Sequence, residues 1–222
     1  EEADALYTEL ASSSAVASGR AVTVAGRLGR VEALVGLGRL DDAQVQLEAL
    51  SDAARETPSA RITAARLRLA QGRAGQALRQ LRPLARGDDP SASVLALYGD
   101  ALLAAGQTEA AARAYEQALE GDAGSPEALL GEATMAVRSD RGDDALERLE
   151  RIERVLERRL RPPAFHARVA LLTGRAHLLE GAEDAGRRAL RAATEIDAAP
   201  PEAHFRLGEA LAGHDSPASR AA

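Results

Sequence analysis

One period constrains this chain more than anything else in it. A step of 34 residues from Ala43 meets Ala77, Ala111 and Ala145, and the same step from Leu47 meets Leu81, Tyr115 and Leu149. A third column reads Leu50, Leu84, Ala118, Ile152, and a fourth, mostly small, reads Val31, Ala65, Gly99, Ala133. Gly38, Gly72 and Gly106 keep the same step. On either side of these glycines the apolar residues recur three and four apart, as on one face of a helix. Glycine supplies the positive φ that closes a helix, so each unit is a helix, a turn and a second helix. Such a unit cannot bury its apolar face alone. Neighbours have to stack on it, and about three or more units are needed for a stable stack.

The unit is plainest between Ser91 and Pro126. There Leu95, Tyr98, Gly99, Leu102 and Leu103 form one stripe, Gly106 ends it, and Ala111, Ala112, Tyr115, Ala118 and Leu119 form the next. Pro58 and Pro126 fall in phase at helix starts, where a missing N–H costs little. The Gly99, Ala111, Tyr115 and Ala118 set and its equivalents resemble the tetratricopeptide repeat, over roughly residues 24–213. Two departures are visible. The chain has no Trp, and Arg27 and Arg61 stand at first-helix positions usually apolar in that family.

The resemblance implies an all-α, right-handed solenoid of about five helix-turn-helix repeats with a terminal capping helix. The expected division is an N-terminal helix or partial repeat over 1–23 and a superhelical domain over 24–215. Its repeats are expected at about 24–57, 58–91, 92–125, 126–166 and 167–200, followed by the capping helix 201–213 and a disordered tail 216–222. A start at Glu1 rather than Met leads us to expect a processed or excised piece of a longer protein.

The first pair is expected over 21–37 and 41–55. Asp41 and Asp42 open its second helix as capping carboxylates, and Asp143 and Asp144 do the same three periods later. In the fourth unit the apolar pattern runs on from Ala145 to Leu160, and the small column resumes at Gly174, seven residues late. We therefore expect a lengthened second helix carrying Glu147–Arg151, Glu150–Arg154 and Glu157–Arg161 in the favourable Glu-first order. Self-pairing is the simpler reading of that face. The sharper one is a ridge whose Arg158, Arg159 and Arg161 meet an acidic partner.

By the same resemblance, the inward face of the stack comes from the first helices and usually binds other proteins. One apolar row on it is Leu28, Ile62, Ala96, Leu130, Leu171 and Phe205, and a second is Val35, Leu69, Leu103, Val137 and Leu178. Between them run Glu32, Arg66, Asp100, Thr134, Arg175 and Glu209. Such a groove suits a peptide or amphipathic helix of another protein, with the apolar rows as anchors and Arg66 and Arg175 orienting acidic groups. Family members that hold chaperone tails use Lys and Asn on this face, whereas all 28 basic residues here are arginine.

Little in the chain points to chemistry. The net charge of −6 disfavours a general nucleic-acid or anionic-membrane surface. Zero cysteines exclude disulfides and thiol catalysis, and no apolar run approaches the ~18 residues of a membrane span. His166, His177, His204 and His214 lack metal-ligand spacing, so no metal and no cofactor are expected. The GLGRL run at Gly36–Leu40 is a helix-end turn with no lysine after it. The expected function is a non-catalytic scaffold or adaptor. The alternatives are a self-assembling component of a bacterial envelope or secretion complex, or a sensor domain of a larger regulatory protein. The all-arginine, Ala- and Gly-rich composition points to a GC-rich bacterium and leaves cytoplasm and periplasm both open.

Overall fold

The computed structural model describes residues 23–156, 161–196 and 200–214. Among these residues the regular structure is helical throughout: α1 (Val24–Gly36), α2 (Leu40–Glu48), α3 (Asp52–Arg55), α4 (Pro58–Ala70), α5 (Ala74–Ala85) and α6 (Ala92–Ala104), then α7 (Thr108–Gly121), α8 (Pro126–Arg138), α9 (Gly142–Leu156), α10 (Pro163–Leu179), α11 (Glu183–Glu195) and α12 (Pro201–His214). Cα packing divides the chain into two compact units, Glu1–Ala114 and Tyr115–Ala222. The expected helix before residue 23, residues 157–160 and the tail from 215 lie outside the described residues.

Each unit is a stack of helix pairs. In the first, α1 packs on α2 and α4 on α5, while α2 also touches α4 and α5 touches α6. In the second, α8 pairs with α9 and α10 with α11, while α9 also meets α10 and α11 meets α12. First helices also pack on the next first helix: α1 on α4, α4 on α6, and α8 on α10. The four sequence columns are what these contacts bury. Ala43, Ala77, Ala111 and Ala145 are fully buried, as are Val31, Ala65 and Ala133, so small side chains let paired helices approach closely. The first unit's core gathers Leu28, Val31, Leu34, Leu47, Leu50 and Leu67, and the second's centres on Leu129, Leu149, Ile152 and Leu172.

The inter-helix turns share one geometry. Gly38, Gly72, Gly106 and Gly181 sit at φ of 70° to 75°, and Asp140 takes the same left-handed place at 54°. At each, the residue's N–H bonds to the carbonyl two before the helix cap, and the next N–H reaches one residue further back. Gly106 N to Leu103 O is 3.1 Å and Gln107 N to Leu102 O is 2.9 Å, while Asp140 N to Val137 O is 3.3 Å and Arg141 N to Ala136 O is 2.9 Å. This double closure satisfies carbonyls that a helix end otherwise leaves open.

Four expectations need correction. The second helix of the first pair is not one element over 41–55. It ends at Glu48, and Ser51 starts α3 by accepting a bond from Ala54 N at 3.3 Å. Asp41, Asp42, Asp143 and Asp144 are first-turn residues rather than caps, with Asp42 paired to Arg39 at 2.8 Å and Asp144 to Arg141 at 2.9 Å. The late small column is partly a longer first helix, since α10 has 17 residues against 13 in α8. Of the Glu-first pairs, Glu147–Arg151 and Glu150–Arg154 are not formed as expected, and Glu157 lies outside the described residues. Arg151 donates to Ala123 O at 3.1 Å, Glu147 pairs with Arg148 at 3.2 Å, and Arg161 reaches back to Glu127 at 3.1 Å. Of the predicted ridge, only Arg161 lies among the described residues.

Candidate functional site

The predicted binding rows divide by burial. Leu28, Leu103, Leu130, Val137 and Leu171 are 2–8% exposed and belong to the helix-packing interior. The apolar rows are therefore corrected from anchors to core over most of their length. A partner could reach those five only by opening the helix pairs. Val35, Ile62, Leu69 and Leu178 are half-buried, and Phe205 is the exposed member of its row at 62%.

The row between them stays at the surface, because its members fall on the helix face turned away from the paired helix. In the first unit Arg66 pairs with Glu32 at 2.7 Å, and the buried Thr63 hydroxyl donates to the same carboxylate at 3.3 Å. Asp100 is half-buried and engaged. In the second unit the Thr134 hydroxyl folds back to Leu130 O of its own helix at 2.7 Å. Arg175 pairs with Glu202 at 3.1 Å, and Arg206 joins Glu202 at 3.4 Å and Glu209 at 3.0 Å.

The second unit brings four predicted residues together. A cleft of about 300 Å³ opens between the ends of α8 and α10 and the middle of α12, lined by Val137, Arg175, Leu178 and Glu209 with Asp140, Leu179, Arg206 and Ala210. Burial pushes the Arg175 guanidinium below its ordinary value; Glu202 opposes the shift, and Arg206 and Arg138 add to it. Arginine keeps its charge regardless, so the cleft holds a crowded but balanced set of charges. Beside it Arg206 lies 5.9 Å from the Phe205 ring centroid, and Leu179 and Leu211 are each 41% exposed.

The residues that sequence reasoning missed had a signal. Asp140 occupies the glycine step after Gly106, so its turn had to present a side chain at the mouth of α8. Leu179 and Arg206 adjoin Leu178 and Phe205 in sequence, and the cleft brings the end of α10 to the middle of α12. The histidines are scattered: His166 packs edge-on to Phe165 with centroids 6.4 Å apart, and His204 is exposed. Among the described residues no group of His, Asp and Glu is placed to hold a metal. No described helix is long and apolar enough to cross a membrane.

Comparison with known proteins agrees with this geometry. A sequence profile described as tetratricopeptide repeat matches residues 102–158. No curated protein matches the chain in sequence. Among solved structures, the Cut9–Hcn1 hetero-tetramer of the APC/C aligns with a TM-score of 0.80 at 14% identity, covering 97% of this chain and 41% of that one. The chain thus spans less than half the length of that structure's chain. TTC0263, a thermophilic TPR protein of Thermus thermophilus, aligns at 0.67 with 18% identity over 86% of this chain and 100% of its own. A MamA RS-1 ArsTM double mutant aligns at 0.52 with 23% identity, over 76% and 88%. At these identities the likeness is one of fold. A tetratricopeptide repeat is thus matched in sequence over residues 102–158, and the helix pairs stack as in these structures.

Proposed function

We propose that the chain is a non-catalytic protein-binding scaffold, and that the first-helix face of its second unit is the working surface. The observation that carries this reading is the cleft between the ends of α8 and α10 and the middle of α12. It places Arg175 and Arg206 beside half-buried Leu178 and exposed Leu179 and Phe205. Among the described residues six large apolar side chains are exposed, and Leu179, Phe205 and Leu211 of the second unit are three of them. A partner helix or extended segment would seat an apolar side chain against Phe205 and Leu179. Its acidic groups would compete with Glu202 and Glu209 for the arginines.

Variants must avoid the core. Glutamate at Leu103 or Leu130 would unfold a helix pair rather than report on binding, because both are buried. Leu179→Ser with Phe205→Ser changes the surface alone. The expected result is a protein captured from lysate by the wild type and lost by the double variant at unchanged helicity. Equal capture by both overturns the reading.

A second reading, self-assembly, is favoured by one observation. Gly174 packs tightly on Leu190, but its equivalent Gly208 on α12 faces open space, beside exposed Leu211. A helix from a second copy would fill that place. Light scattering decides: a mass that rises with concentration, and falls back to the monomer with Leu211→Ser, supports it. A monomer at every concentration excludes it.

A further inference from the structure

The break between α2 and α3 opens a second cleft, in the first unit and independent of the face just described. With α2 stopping at Glu48, the cleft lies between its end, α3 and the flank of α4. The space left is about 620 Å³, within the range of small-ligand sites. Its apolar lining is exposed Ala53 and half-buried Ala64 with the edges of buried Leu47 and Ala60, and its wall carries Gln44, Glu48 and Arg68.

The charges of that wall are unusual for this chain. The cleft's other arginine, Arg55, pairs with Asp52 at 2.5 Å, and Glu56 at the rim pairs with Arg61. Arg68 and Glu48 have no such partner among the described residues. Arg68 spends Nη1 on two neutral oxygens, those of the Gln44 and Gln71 side-chain amides, the latter at 2.8 Å. Its Nε and Nη2 make no hydrogen bond to a described residue. That edge is the one that receives a carboxylate with two parallel bonds. Burial pushes the Arg68 guanidinium below its ordinary value, Arg73 adds to the shift, and Glu48 opposes it. The charge of an incoming anion would oppose the shift, as Glu48 does. Gln44 turns its other end, Nε2, to the Glu48 carboxylate, so one side-chain amide holds an unneutralised cation and anion side by side.

We propose that this cleft binds a free α-amino acid with an aliphatic side chain. Its carboxylate lies on the Nε–Nη2 edge of Arg68, its ammonium on Glu48, and its side chain over Ala53 and Ala64. An interior residue of a peptide carries neither backbone charge, whereas an amino acid carries both on one carbon. A simple carboxylate would meet Arg68 but leave Glu48 beside an apolar or anionic neighbour.

Titration of the whole chain with L-leucine, followed by two-dimensional NMR, tests this. The expected result is a saturable shift of amide signals from α2, α3 and α4. L-leucinamide, which lacks the carboxylate, and 4-methylpentanoate, which lacks the ammonium, should each bind at least about tenfold more weakly. Arg68→Gln should abolish the leucine response. Should that variant misfold, the exposed Glu48→Gln carries the test, weakening leucine by about tenfold while leaving 4-methylpentanoate unchanged. The absence of a saturable shift, equal binding of the three probes, or a leucine response undiminished in a folded variant overturns the proposal.

Discussion

At the residue scale, two positions show how narrowly the repeat specifies its side chains. Asp140 holds a left-handed turn at φ 54° where the other turns of the set have glycine. A non-glycine residue there costs roughly 1 kcal/mol in steric strain. Asp140→Gly is accordingly expected to stabilise the fold by about 0.5–1 kcal/mol, seen as a higher urea midpoint at unchanged slope. Gly131 is the opposite case. A Cβ there would overlap the Tyr115 ring, the largest fully buried side chain among the described residues. Alanine in a helix interior would gain about 1 kcal/mol in propensity, but overpacking a rigid ring costs about 1–3 kcal/mol, so the clash wins. Gly131→Ala should lower stability, and pairing it with Tyr115→Leu should recover part of the loss.

At the element scale, helix ends are tied by side chains from elsewhere in the unit. The Glu180 carboxylate, at the end of α10, accepts a bond from Asp143 N at the start of α9 at 3.1 Å. It thereby caps a helix 37 residues away, where an anion also suits the positive end of the dipole. Gly142 makes the room, since a Cβ there would run into that carboxylate and into Ala176 O. Glu180→Ala is expected to cost about 1 kcal/mol and to speed amide exchange in the first turn of α9. The pair α10–α11 depends on close approach: a Cβ on Gly174 would stand 2.6 Å from Leu190 Cγ, and one on Gly186 2.7 Å from Leu178 Cδ2. Alanine at either site should push the helices apart.

At the scale of the whole molecule, each unit has its own apolar clusters, and a stack of this kind is only as sound as its last layer. In the second unit that layer is α12, whose Ala203 and Leu207 lie on Leu171, Leu190 and Ala193. Deleting residues 200–222 should uncover those leucines. The expected loss is at least about 2 kcal/mol, read by urea unfolding together with new binding of a hydrophobic dye. Unchanged unfolding would show that α12 is an appendage rather than a cap.

By itself the sequence determined the repeat, the helix pairs and the buried columns, because a period of 34 residues with small residues in register admits one way of stacking. It also marked the turn at Asp140 by its place in the glycine series. Periodicity does not carry the difference between a residue facing a groove and one facing a neighbouring helix. Leu28, Leu130 and Leu171 share a row with Phe205, Leu103 and Val137 stand in the other, and of these all but Phe205 are buried. Only tertiary structure decides that, since burial depends on which helix stands opposite, and nothing described stands opposite Gly208. The same holds for charge. Local i,i+4 spacing suggested that Glu147 and Arg151 would pair, but Arg151 finds a carbonyl 28 residues away. Partners brought together by stacking compete with partners supplied by the helix, and an exposed pair worth a few tenths of a kcal/mol yields easily. The two clefts arise likewise from where helices stop, at Glu48 in one unit and beside Asp140 in the other, which packing and capping settle together.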